Sequence, residues 1–149
     1  MNTYASFKKK VSLRITLVFT HFKKEEDKSL ISGKLDEELE RMSTLIDHLQ
    51  INSLVLLNES FASTNEREGS EICRQVTLAL IDKRVEVFSV THLYTYASSF
   101  IGDLRAQFLQ AQRLDNGERT FKLIAQEPKE TAYGEDLYKK IFTDNEVKQ

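Results

Sequence analysis

The sequence predicts an α/β chain: a small parallel sheet flanked by helices, followed by a β-hairpin and a terminal helix. Three observations carry this. Leu54 to Leu57 and Val85 to Val90 are short apolar runs separated by a helical stretch, the strand–helix–strand order of a parallel crossover. Before them, Leu35, Leu39, Met42, Ile46 and Leu49 recur at three- and four-residue steps, as on one face of an amphipathic helix. After them, Asp115-Asn116-Gly117-Glu118 separates two β-like segments, and Asn-Gly supplies the positive φ of a tight turn.

Taken in order, Val11, Leu13, Ile15 and Leu17 alternate with Ser12, Arg14, Thr16 and Val18, which predicts a half-buried strand over Val11 to Phe19. Lys23 to Lys28 has no apolar residue and reads as a solvated loop or helix end. A helix over Leu35 to Leu49 follows. The continuous run Leu54 to Leu57, bounded by Ser53 and Asn58, predicts a strand buried on both faces. Ile72, Val76, Ala79 and Leu80 place a helix over Glu71 to Lys83, and Val85, Val87, Phe88 and Val90 a second buried strand. A helix around Tyr94 to Phe100, hairpin strands over Ala106 to Leu114 and Thr120 to Gln126, and a helix over Gly134 to Phe142 complete the reading, with a polar tail from Thr143.

Composition removes several function classes. The 149 residues, 40% apolar and 30% charged, suit one domain. The net charge of −2 gives no global attraction to nucleic acid or membrane surfaces. No apolar stretch approaches the ~18 residues of a membrane span. The single Cys73 lies in an apolar helical pattern and cannot form an internal disulfide, which fits a reduced, cytoplasmic compartment. The five glycines all stand alone, so no Gly-rich phosphate loop can be written anywhere. His21 and His48 have no neighbouring Cys or spaced His and read as ordinary surface or interface residues. The aromatics Phe19, Phe22, Phe61, Tyr94, Tyr96 and Phe100 read as core or interface packing.

In open parallel sheets, ligands sit at the carboxyl ends of the strands. Here those ends carry Asn58, Glu59 and Ser60, then Thr91 and His92. A carboxylate beside an imidazole can orient and deprotonate a water next to a phosphate. The same residues also suit a purely structural arrangement, with Glu59 capping the next turn and His92 packed at the sheet edge.

The order of these residues resembles a known family. Ser53-Leu54-Val55-Leu56-Leu57-Asn58-Glu59, then Ser63-Thr64-Asn65-Glu66-Arg67-Glu68-Gly69, then Val90-Thr91-His92 is similar to the C-terminal ATPase domain of MutS-family DNA mismatch-repair proteins. Gly117 to Leu123 and Tyr133-Gly134-Glu135-Asp136 resemble that family's terminal hairpin and Ser-Tyr-Gly segment. The likeness spans residues 19–142, leaving 1–18 unmatched and 143–149 as the tail. It implies a partial P-loop NTPase of the ABC/MutS type, with ATP and Mg²⁺ as nucleotide and metal. Glu59 would be the water-activating glutamate of the Walker B strand and His92 the switch histidine. Ser63, Thr64 and Gly69 would belong to a loop signalling between nucleotide sites across a homodimer, or to a full-length MutS-like partner. Ser32 and Gly33 would belong to the signature region that reaches the partner's nucleotide.

The chain departs from the family pattern at three points. Asn58 replaces the acidic residue that holds the metal's water shell, and an amide is a poorer partner for a hard cation. Gly33 falls where the signature serine is expected. The Walker A loop has no counterpart in residues 1–18, so the chain is expected to be a C-terminal portion that binds ATP weakly by itself. DNA contact is expected only through domains outside this sequence. The alternative is a non-catalytic dimerisation or regulatory half-domain.

Overall fold

The computed structural model describes residues 16–23, 33–114 and 119–130. Several expected features lie outside them: the Lys23 to Lys28 loop beyond its first residue, the Asp115 to Glu118 turn, the Tyr133 to Asp136 segment, the Gly134 to Phe142 helix and the polar tail from Thr143.

Three parallel strands form the central sheet in the order β1 (Val18–Phe22), β2 (Leu54–Asn58) and β3 (Glu86–Val90), in unbroken register from Val18↔Leu54↔Glu86 to Phe22↔Asn58↔Val90. The crossovers are α1 (Lys34–Asp47) and α2 (Glu66–Asp82); α3 (Tyr94–Ser98) follows β3. The two crossovers step the same way across the sheet. With the usual right-handed connection, both helices then fall on one face. That face is the core: Val55, Leu57 and Val87 pack with Met42 of α1, Cys73 and Leu80 of α2, and Leu93, Tyr96 and Phe100 around α3.

This arrangement corrects the expectation that β2 is buried on both faces. Val55 and Leu57 are sealed, but Leu54, Leu56 and Asn58 are only half-buried. On the same open face, Phe88 and Val90 are half-buried and Val18 and Phe22 exposed. Of the strand expected over Val11 to Phe19, residues 11–15 lie outside the described residues; β1 covers Val18–Phe22, past the expected end, and Leu17 before it is exposed. Its alternation keeps the expected parity, with Phe19 and His21 turned inward.

Helix α2 begins five residues before the expected Glu71. Asn65 caps it, its side-chain oxygen accepting from the Glu68 N–H at 3.0 Å, and Glu66 and Glu68 set negative charge against the positive end of the helix dipole. Residues 66–69 of the expected signalling loop are therefore helical. At the C-terminal end, β4 (Leu109–Arg113) and β5 (Arg119–Ala125) form the expected antiparallel hairpin, with an irregularity between Ala111 and Arg113. Among the described residues these strands pack on each other and on no other element. Phe121 of β5 is 92% exposed, whereas Gln110 of β4 is buried.

Candidate functional site at the carboxyl ends of the sheet

The carboxyl ends of β1, β2 and β3 bring together His21, Glu59 and His92 with the first turns of α1 and α2. Glu59 follows β2 directly. Its N–H donates to the Val90 carbonyl at 2.8 Å, which locks the exit of β2 to the end of β3. Glu59 and Phe61 both adopt left-handed backbone, φ 52° and 58°, a conformation that side chains with a Cβ resist. The resulting turn directs Glu59 toward the neighbouring strand end, and its carboxylate pairs with Nδ1 of His92. The carboxylate is largely covered, at 13% side-chain exposure, whereas the imidazole is 59% exposed. This pair has one shielded and one solvent-facing partner. Thr91, two residues before Leu93, accepts the Leu93 N–H on its hydroxyl at 3.0 Å and fixes the turn that presents His92.

The other expected site residues are placed differently. Asn58 ends β2 with half-buried character, in register with Leu54 and Leu56 on the open face of the sheet. Ser63 turns inward, its hydroxyl donating to the Glu38 carboxylate at 2.9 Å. Thr64 bonds the Glu68 carboxylate within its own turn. Gly69 is buried in α2, and its role is steric. A Cβ there would lie 2.3 Å from the Phe61 carbonyl oxygen, so the missing side chain is what lets α2 approach the turn after β2. Gly33 is the exposed N-cap of α1, with no side-chain cap bond. Ser32 lies outside the described residues.

Beneath the Glu59–His92 pair runs a buried polar network that sequence reasoning missed. His21, expected at a surface or interface, is 1% exposed and stacked on Phe61 with ring centroids 5.2 Å apart. Its Nε2 faces the Glu38 carbonyl at 3.0 Å and therefore carries a proton. Its Nδ1 lies 2.8 Å from Ser60 Oγ, and that hydroxyl also lies 2.7 Å from the His21 carbonyl. Burial lowers the His21 pKa, with the Glu38 carbonyl opposing the shift. Cys73 donates to the Ser60 carbonyl at 3.3 Å, and burial, with the Glu38 and Glu59 carboxylates, pushes its thiol up to about 12. The thiol is thus an inert packing group, as its apolar sequence context suggested. The signal that could have located His21 was its inward parity with Phe19.

Among the described residues no group of three or more His, Cys, Asp or Glu side chains could hold a metal ion. His48, the exposed C-cap of α1, has Nδ1 2.7 Å from the Thr44 carbonyl of the same helix. No helix among the described residues is long and apolar enough to cross a membrane. The chain matches no model of a known protein family and no curated protein.

Proposed function

We propose that the chain supplies the water-handling half of a MutS-like DNA mismatch-repair ATPase site, with the nucleotide gripped by another half. The observation that supports this reading is the Glu59–His92 hydrogen bond, which joins the ends of two adjacent parallel strands. In this role the shielded Glu59 carboxylate takes a proton from the attacking water. His92 holds the carboxylate rotamer and, facing solvent, passes the proton outward. The two left-handed residues after β2 are consistent with that task, since unfavourable backbone geometry concentrates where side chains must be aimed.

The residues present do not fit a resident Mg²⁺. Asn58 brings an amide in place of a carboxylate, Glu59 is engaged by His92, and no ligand cluster stands beside them among the described residues. The sequence has no glycine-rich loop to grip ATP phosphates. Binding would therefore rely on a homodimer partner or a full-length relative, and DNA contact on domains beyond this chain.

The test is a titration of labelled ATP analogue, with phosphate release followed in parallel. It uses the chain alone and the chain extended at its N-terminus by a glycine-rich phosphate loop. Expected is release that Glu59→Gln lowers by about 10²- to 10⁴-fold. Absence of nucleotide binding in both forms overturns the reading. One observation favours a second, non-catalytic reading as a regulatory half-domain: the Ser63 and Thr64 hydroxyls are both held by the chain's own carboxylates. Binding without hydrolysis, unchanged by Glu59→Gln, would select it.

A further inference from the structure

Three short contacts meet around His21, and a neutral imidazole cannot satisfy them all. Nε2 lies 3.0 Å from the Glu38 carbonyl, Nδ1 lies 2.8 Å from Ser60 Oγ, and the same Oγ lies 2.7 Å from the His21 carbonyl. Each contact is a hydrogen bond only when one proton lies between its two atoms. A neutral ring brings one proton and the Ser60 hydroxyl brings another, which leaves one contact without any. With the ring proton on Nε2, the hydroxyl can serve Nδ1 or the carbonyl but not both. With the ring proton on Nδ1, Nε2 faces the Glu38 carbonyl lone pair to lone pair. An imidazolium supplies the missing proton and completes the chain. Nε2–H then donates to Glu38, Nδ1–H to Ser60 Oγ, and the Ser60 hydroxyl to the His21 carbonyl. Both side chains are buried, His21 at 1% and Ser60 at 2% exposure, so the unfilled contact is shielded from solvent.

His21 touches the turn after β2 twice, through Ser60 and through the Phe61 ring stacked on it, while its other nitrogen is held by α1. We infer that His21 is a proton-operated clamp: a proton taken up on Nδ1 fixes the Ser60 hydroxyl onto the His21 carbonyl and so tightens the turn that aims Glu59. The charged and titratable groups around it are Glu38 and Arg41 of α1, Glu59 of the turn and Cys73 of α2; β2 carries none. Burial and the Arg41 charge oppose the added proton, and the Glu38 carbonyl favours it. The Glu38 carboxylate is itself bound to the same turn, through the Ser63 hydroxyl. Cys73, pushed up to about 12, stays a neutral thiol throughout. Burial therefore decides how far the pH must fall, and the hydrogen bonds decide what changes when the proton arrives. The clamp does not rest on the ATPase reading, since it is read without nucleotide.

The test is a pH titration of the full chain with its histidine rings labelled with nitrogen-15, from about pH 8 to the onset of acid unfolding, with both ring nitrogens of His21 followed by NMR. Nε2 is expected to stay protonated throughout, and Nδ1 to gain its proton below the ordinary 6.5 but before unfolding. The His92 ring resonances should show a second inflection at that same midpoint, because Glu59 carries the change in the turn to its partner. Ser60→Ala removes the acceptor of the new proton and should weaken proton binding by about three- to tenfold, lowering the midpoint by roughly 0.5–1 pH unit. Were Ser60 only a donor to the neutral ring, its loss would raise the midpoint, so a raised or unmoved midpoint overturns the clamp. Should Ser60→Ala not fold, the unsubstituted chain decides: the Nδ1 proton, once bound, should exchange slowly and show contacts to the Ser60 β-protons, and a rapidly exchanging one overturns the inference. It is also overturned if His21 stays neutral until the chain unfolds, or if His92 shows a single inflection.

Discussion

Glu59, Phe61 and Gly69 form one steric unit at the residue scale. The left-handed turn that aims Glu59 also brings the Phe61 carbonyl against α2, and the bare Cα of Gly69 accommodates it. Gly69→Ala puts a methyl group into backbone and is expected to destabilise the fold by about 1–3 kcal/mol, read as a lowered urea midpoint. Because the displaced atoms belong to the Glu59 turn, the same substitution should disturb the Glu59–His92 pair, visible as a change in the His92 ring resonances. His21 makes stability depend on pH. Its folded pKa lies below the ordinary 6.5, so through the window between them the unfolded chain binds more protons. Stability from this residue is complete above about pH 6.5 and falls as pH drops through that window. Denaturation midpoints measured between about pH 5 and pH 8 should show this acid-side loss, and His21→Gln should flatten it.

Elements differ in how legible they were in the sequence, for physical reasons. β2 and β3 were readable because apolar runs bounded by polar residues have few alternatives to a buried strand. The start of α2 was not, because Glu66-Arg67-Glu68-Gly69 carries no apolar period. The cue was chemical: Asn65 three residues before Glu68 is an N-terminal capping pair, whose bond the structure shows at 3.0 Å. Asn65→Ala is expected to lose about 1 kcal/mol, measured by thermal or urea unfolding. That Glu59 and His92 follow neighbouring strands was readable in advance, but their hydrogen bond to each other was not among the expectations. The His21–Ser60 network was not, since three elements distant in sequence must meet before a histidine becomes a core residue.

Among the described residues, same-handed crossovers place all the helices on one side of the sheet. The open side carries Val18, Phe22, Leu54, Leu56, Phe88 and Val90 while the other is sealed by three helices. Binding of a hydrophobic dye such as ANS is commonly taken as a sign of a molten, partly folded chain. Here a well-packed native state should light up the dye, and its aromatic circular dichroism should persist in the same sample. Phe22→Lys should dim the dye without lowering the unfolding free energy by more than about 0.5 kcal/mol, as befits an exposed site. For this protein, a fluorescence screen that equates dye brightness with misfolding would discard the correctly folded material.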